Sequence, residues 1–284
     1  MSYDYHEPRE LAGALELLAA HGEDAHLIAG GTATVLLMRQ GLLRPGHVVS
    51  LRRIPQLAGI ARTQDGGLRI GAMATHREAE RSADLRAFSA ALATAFASVA
   101  TVRIRNQATV GGNLAHADPA QDPPPMLAAL GASVTAASPR GERSVAVEDL
   151  SVDHFTTSLA PDEIITQIVV PPLAPRTRAT YLKFLPRTAD DYATVSVAAA
   201  VRIQDGAVTA ARVVLGAVGA TPIRARKAEA ALVGERPTPE RLAAAAALVR
   251  EEVDPLDDHR GSAGYKRDMS AVWVERALLA LVQA

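Results

Sequence analysis

The chain has 284 residues, of which 48% are hydrophobic and 21% charged, with a formal net charge of -1. Such a length suits more than one compact unit, the composition is that of an ordinary globular protein, and the charge leaves no footprint for nucleic acid. Cysteine is absent, which excludes disulfides, cysteinyl iron-sulfur ligation and thiolate zinc sites, so any cluster must lie in another chain.

Met1 to Glu10 is polar and has no signal-peptide pattern, and no apolar run reaches the roughly 20 residues that span a bilayer. The expectation is a cytoplasmic chain without membrane insertion. Leu11, Leu15 and Leu18 mark a first helix that ends at His21-Gly22. His26 to Ala29 reads as a strand that stops at a glycine pair, Ala33 to Arg39 as a helix and His47 to Leu51 as the next strand. Gly59–Arg62 and Leu68–Gly71 flank the turn sequence Gln64-Asp65-Gly66-Gly67, predicting a hairpin. Broken helical patterns run from Arg77 to Phe96, a second glycine pair follows at Gly111-Gly112, and Met126–Leu130 and Ser133–Ala137 read as helix and strand.

Pro171, Pro172 and Pro175 follow the apolar strand Ile164–Val170 and mark the main boundary, because proline donates no backbone hydrogen bond. Beyond it, Tyr181–Leu185, Thr194–Ile203 and Val208–Ala217 predict three strands. Three helices follow at Arg226–Leu232, Pro239–Val253 and Gly264–Val282. The chemistry-bearing segments lie before that boundary. In Ala29-Gly30-Gly31-Thr32-Ala33-Thr34 a strand turns through two glycines into a helix, a geometry that presents backbone N–H groups and hydroxyls to an anion. Alone, such a pair is more often a tight turn capped by threonine than a ligand site, and it lacks the G-x-G-x-x-G dinucleotide fingerprint. A second segment of like chemistry, Thr109-Val110-Gly111-Gly112-Asn113, allows two facing turns to grip a pyrophosphate, so a dinucleotide is the expected ligand. His116, Asp118 and Asp122 are spaced poorly for a metal, with Pro119 breaking the segment, and no metal site is expected. Asp122 is better used to accept hydrogen bonds from a ribose hydroxyl.

The motifs AGGTAT (Ala29–Thr34) and RNQATVGGNLAHADPAQD (Arg105–Asp122) resemble those of the FAD-binding subunits of molybdenum hydroxylases, the group of xanthine dehydrogenase and the carbon monoxide dehydrogenase medium chain. The resemblance covers nearly the whole chain. It implies an α+β protein: a two-part FAD-binding domain of the vanillyl-alcohol-oxidase-like (PCMH-type) fold over residues 1–174, with parts of about 1–56 and 57–174. A C-terminal domain, 175–284, of a three-stranded antiparallel sheet plus helices would follow. It further implies that Ala29, Gly30, Gly31, Thr32, Ala33 and Thr34 wrap the FAD pyrophosphate, and that Thr109, Gly111, Gly112 and Asn113 lie against phosphates and flavin. Asp122 would bond toward the ribose and Ile165 pack on the isoalloxazine ring. Lys183, in an aromatic-x-lysine segment, completes the set. By the same resemblance the partners are a molybdenum-cofactor large subunit and a small subunit with two [2Fe-2S] clusters, in a dimer of heterotrimers. The terminal acceptor would be a quinone, NAD or oxygen.

Two departures stand out. Thr32 occupies a position where carbon monoxide dehydrogenase chains usually carry histidine, and the cysteine-bearing insertion of benzoyl-CoA-reducing relatives is absent. With no catalytic acid/base set in the sequence, the expected role is electron transfer through FAD, whose chemistry needs only binding and orientation from the protein. A self-sufficient FAD oxidase and a non-redox nucleotide-binding module are the rival readings.

Overall fold

The computed structural model describes residues 2–185, 187–188 and 191–283. The chain opens with β1 (Asp4–His6), α1 (Leu11–His21), β2 (Ala25–Ile28), α2 (Thr34–Arg39) and β3 (His47–Ser50). The three strands form a parallel sheet in the order β1-β3-β2. Ala14 and Leu18 of α1 pack in one cluster with Val49, Leu51, Ile54 and Leu57, the apolar stripe that the leucine spacing anticipates. β1 escapes a sequence reading because its three residues are mostly exposed and its register comes only from β3.

A five-stranded antiparallel sheet follows, built from β4 (Ile60–Arg62), β5 (Leu68–Gly71), β6 (Ser133–Ser138), β7 (Gly141–Ala146) and, after the small β8 (Ser151–Asp153) and β9 (Thr156–Thr157) ribbon, β10 (Ile164–Val170). Its order is β4-β5-β10-β6-β7. The helices α3 (His76–Arg81), α4 (Ala83–Phe88), α5 (Ala90–Ala97), α6 (Val102–Arg105), α7 (Val110–His116) and α8 (Pro123–Ala129) lie between β5 and β6, and α9 (Val147–Leu150) follows β7. The broken helical pattern has a cause. Ser82 and Ser89 are extended, and each hydroxyl accepts the N–H three residues on, from Leu85 and Leu92, so one helix ends where the next is capped.

The last part comprises β11 (Thr177–Phe184), β12 (Val195–Gln204), β13 (Ala207–Gly216), β14 (Ile223–Arg224) and the helices α10 (Arg226–Leu232), α11 (Pro239–Leu248) and α12 (Ala263–Gln283). The sheet has four strands, not the expected three. β14 is two residues long, too short to carry an alternating pattern, and is held by pairing with Val214 and Leu215. β12 is buried on both faces: Val195, Val197, Ala199 and Val201 join the α10–α12 core, whereas Ala198 and Ala200 join the core shared with α5 and α8. Small side chains on that second face let the helices sit close, which gives the alanine-rich run of this strand a packing reason.

A polar contact also ties this sheet to the preceding part. Asp122, 4% exposed, accepts from Tyr181 Oη at 2.6 Å and from Lys183 Nζ at 2.9 Å, and Lys183 also donates to the Ser98 carbonyl at 2.8 Å. Burial pushes the Asp122 carboxyl above the usual carboxylate range, while Lys183 and Tyr181 pull it back. Removing one member of a buried pair leaves an uncompensated charge, a cost of about 3 to 5 kcal/mol. Lys183→Met should therefore destabilise the chain by about that amount, and Asp122→Asn combined with Lys183→Met should recover much of it; urea unfolding of the single and double variants measures the coupling.

His76, first residue of α3, is fully buried against Phe96, and neither ring nitrogen has a protein partner among the described residues. Burial first, and the Arg105 charge second, hold its pKa down to about 4. The unfolded chain takes up this proton near pH 6.5 and the folded chain only near pH 4, so stability falls as pH drops through that window. At about 1.36 kcal/mol per pH unit, this group should remove about 2 kcal/mol between pH 6.5 and 5. His76→Leu should abolish that part of the pH dependence in denaturant titrations.

Candidate functional site

The principal cleft, of about 940 Å³, is lined by Arg9, Ala29, Gly30, Arg52, Arg53 and Met73, and on its far wall by Thr75, Glu78, Asn106, Gln107 and Thr109. Its position follows from the parallel sheet. Arg9 lies shortly after the end of β1, Ala29 and Gly30 follow β2, and Arg52 and Arg53 follow β3, so all three strands deliver side chains or backbone at their carboxyl ends, where ligands of parallel α/β sheets bind.

The first glycine segment is built for close approach. Gly31 has φ +72°, a left-handed conformation that a side chain disfavours. The N–H groups of Gly30, Gly31, Thr32 and Ala33 make no backbone hydrogen bond among the described residues. A Cβ on Gly30 would overlap the Gln107 carbonyl oxygen, so this glycine lets the loop after β2 lie directly on the segment between α6 and α7. The two glycine segments do come together: a Cβ on Gly112 would stand 3.4 Å from Ala29 Cβ. Thr109 sits in the cleft wall, caps α7 by accepting the Gly112 N–H at 3.2 Å, and faces Thr75 across an isolated antiparallel bridge.

The second glycine pair is not the turn that the sequence suggests. Gly111 and Gly112 lie in the first helical turn of α7, and neither has positive φ. The leading N–H groups already have acceptors inside the protein: Val110 donates to the Ala74 carbonyl, Gly111 to that of Ala72 and Gly112 to Thr109 Oγ1. The reason for glycine at 111 is packing, since a Cβ there would stand 2.6 Å from Ala72 Cβ. What this segment offers the cleft is therefore side chains, Thr109 foremost. Asn113 Oδ1 is buried without a protein partner among the described residues.

The remaining expected residues lie elsewhere. Asp122 and Lys183 do not line the cleft; they bind each other, and Asp122 is engaged by Tyr181 rather than left open for a ribose. Ile165, 6% exposed, belongs to the central core beside the bulge where β10 pairs with β6, which leaves almost no surface for a ring. His116, once weighed with Asp118 and Asp122 as a metal ligand, packs its ring on Phe155. Arg105 is buried, bridging Glu80 and the carbonyls of Val99 and Ala100, and thereby shapes the segment that leads to Gln107.

Sequence reasoning missed Arg9, Arg52, Arg53, Thr75, Glu78, Asn106 and Gln107. Arg52-Arg53 directly after a strand was a usable signal, given the rule for parallel sheets; Thr75 and Glu78 form a capping box on α3 and reveal no ligand role in sequence. The residues fit a dinucleotide. Three arginines, of which Arg53 pairs with Glu7 at 3.2 Å, supply positive charge beside a loop with unpaired N–H groups, and an unpartnered Asn113 oxygen stands in the adjoining helix.

Comparison with known proteins bears directly on this geometry. Residues 1–173 match the family described as FAD binding domain in molybdopterin dehydrogenase, and residues 180–281 that described as CO dehydrogenase flavoprotein C-terminal domain. The chain is 37% identical over 98% of its length to the 6-hydroxypseudooxynicotine dehydrogenase complex subunit alpha of Paenarthrobacter nicotinovorans, covering 93% of that protein. It is 35% identical to the carbon monoxide dehydrogenase medium chain of Afipia carboxidovorans, with 98% and 96% of the two chains covered. A solved carbon monoxide dehydrogenase from Hydrogenophaga pseudoflava superposes with a TM-score of 0.96 at 34% identity, over 100% of this chain and 98% of that one. The glycine loop at the carboxyl ends of a parallel sheet, the α+β architecture and matches that together span almost every residue agree: the chain belongs to the FAD-binding medium subunits of the molybdenum hydroxylase family.

Proposed function

We propose that this chain is the electron-transfer subunit of a molybdenum-containing hydroxylase, holding FAD between the [2Fe-2S] clusters of a small partner chain and a terminal acceptor, either a quinone, NAD or oxygen. The observation that carries the reading is the cleft itself: a glycine loop with unpaired N–H groups beside three arginines, in a chain of this family. Bound FAD supplies the redox chemistry. The protein's part is to hold and orient it.

In this reading Gly30 to Ala33 and Thr34 cradle the pyrophosphate, Arg9 and Arg52 balance its charge, Thr109 offers a hydroxyl from the cleft wall, and Asn113 lies in the adjoining helix. Asp122 and Lys183 act as positioning residues, fixing the stretch after α7 against β11, and Ile165 packs beneath it. The chain is divided at 174/175 into FAD-binding and C-terminal units. A molybdenum-cofactor large chain does the substrate chemistry, in a cytoplasmic dimer of three-chain units; the names of the relatives, one a medium chain and one a complex subunit, support such an assembly. A self-sufficient oxidase would need an acid/base pair over the flavin, and the carboxylate lining the cleft, Glu78, is engaged in the α3 capping box.

The purified chain should carry FAD, released intact by acid. Arg52→Gln should weaken FAD binding by about ten- to a hundredfold, the worth of a charge-assisted hydrogen bond, and Gly30→Ala should lower flavin content by forcing the loop off Gln107. Fluorescence titration of the stripped proteins, with circular dichroism as the folding control, measures both. Unchanged affinity in the two variants removes the pyrophosphate from this loop.

The isolated chain should also oxidise no purine, N-heterocycle, aldehyde or carbon monoxide with artificial acceptors, and activity should appear only on co-expression with a molybdenum chain and a two-cluster chain. Steady turnover by the chain alone would establish the self-sufficient oxidase instead.

A further inference from the structure

A second cluster lies apart from the cleft. His6 at the end of β1, His21 at the end of α1 and His47 at the start of β3 are all half-buried, and one ring nitrogen from each lies within 4.8 Å of the others. His6 Nε2 stands 3.1 Å from His47 Nδ1. The His21 and His47 rings stack with centroids 3.6 Å apart, and Asp4 Oδ2 is 3.8 Å from His47 Nδ1. His47 opens β3, His21 closes α1 and His6 pairs with Val49 further along β3, whereas the glycine loop follows Ile28, the last residue of β2, which pairs with Ser50.

We propose that His6, His21 and His47 form a binding site for one divalent transition-metal ion, zinc by its ligand chemistry, which clamps β1 to α1 and β3. Three imidazoles suit zinc, copper or nickel, and three histidines plus a carboxylate or water make a tetrahedral zinc set. With zinc–nitrogen bonds of about 2.0 to 2.1 Å, tetrahedral ligand atoms lie about 3.4 Å apart. The His6 Nε2–His47 Nδ1 separation of 3.1 Å is already close to that spacing. His21 must rotate out of its stack on His47 to aim a nitrogen at the ion. It is the last residue of α1, with Gly22 following at φ +54°, and its ring is half-exposed, so side-chain torsions alone can supply the change. Asp4, 78% exposed in its side chain, is free to swing in as the fourth ligand.

The clamp has a structural purpose that the rest of the sheet explains. β1 is three residues long, at the edge of its sheet, and exposes Tyr5, as the chain just before it exposes Tyr3, so few apolar contacts hold it. Arg9 in the cleft wall lies three residues after His6. Ordering β1 orders the approach to that arginine.

The test uses the full FAD-loaded chain, stripped by chelator and titrated with zinc chloride by calorimetry, and with cobalt(II) by difference absorption beyond the flavin bands. Expected are one equivalent bound, a higher thermal midpoint with zinc, and cobalt bands of a nitrogen-ligated tetrahedral site. His21→Asn should weaken binding about tenfold or more and abolish the thermal shift, whereas His26→Asn, a half-buried histidine outside the cluster, should leave both unchanged. His47→Asn serves as a second variant. No saturable binding in the unsubstituted chain, or equal affinity in His21→Asn, overturns the proposal.

Discussion

The close approach of Gly30 to the Gln107–Ala108 peptide sets the geometry on which the site depends. A Cβ at residue 30 would collide with backbone, not with a side chain that could move aside, so the parallel sheet and the α6–α7 segment are brought together only where no side chain intervenes. With that contact go the adjacency of Ala29 and Gly112 and the position of Thr109 in the cleft wall.

The two glycine pairs look alike in sequence and work differently. The first leaves its N–H groups unpaired in a loop, where they can meet phosphate oxygens. The second is absorbed into a helix whose leading N–H groups are taken by Ala72, Ala74 and Thr109, and its glycines answer to packing against β5. What the α7 side offers the cleft is therefore side chains such as Thr109, whereas the arginines gather on the sheet side, after β1 and β3.

Across the molecule, β12 performs the corresponding task for the C-terminal part. Its two faces enter two cores, so the C-terminal sheet is not a separate lobe on a linker but one wall of the preceding core. The Asp122–Lys183 pair lies within that wall. Two opposite charges removed from water gain only if each is fully partnered, and here the carboxylate has Tyr181 and Lys183 while the ammonium has Asp122 and a carbonyl. Such a pair fixes register between α8 and β11 more than it adds stability.

The sequence by itself determined the order of the longer helices and strands, through helical and alternating periodicities and proline punctuation, and the strand-glycine-helix form of the first glycine loop, because strand, glycine pair and hydroxyls are contiguous and local. The absence of cysteine likewise excluded cysteinyl cluster ligation within this chain. Only the tertiary structure decided which residues line the cleft. Arg9, Arg52 and Gln107 are far apart in sequence and meet because three parallel strands end at one edge. It likewise turned Asp122 toward Lys183, 61 residues away, rather than toward the cleft. Strands of two or three residues such as β1 and β14 have no period to detect and exist only through pairing with a longer neighbour. The histidine cluster has the same origin: residues 6, 21 and 47 share no motif, and a helix packed across two parallel strands is what places their rings together.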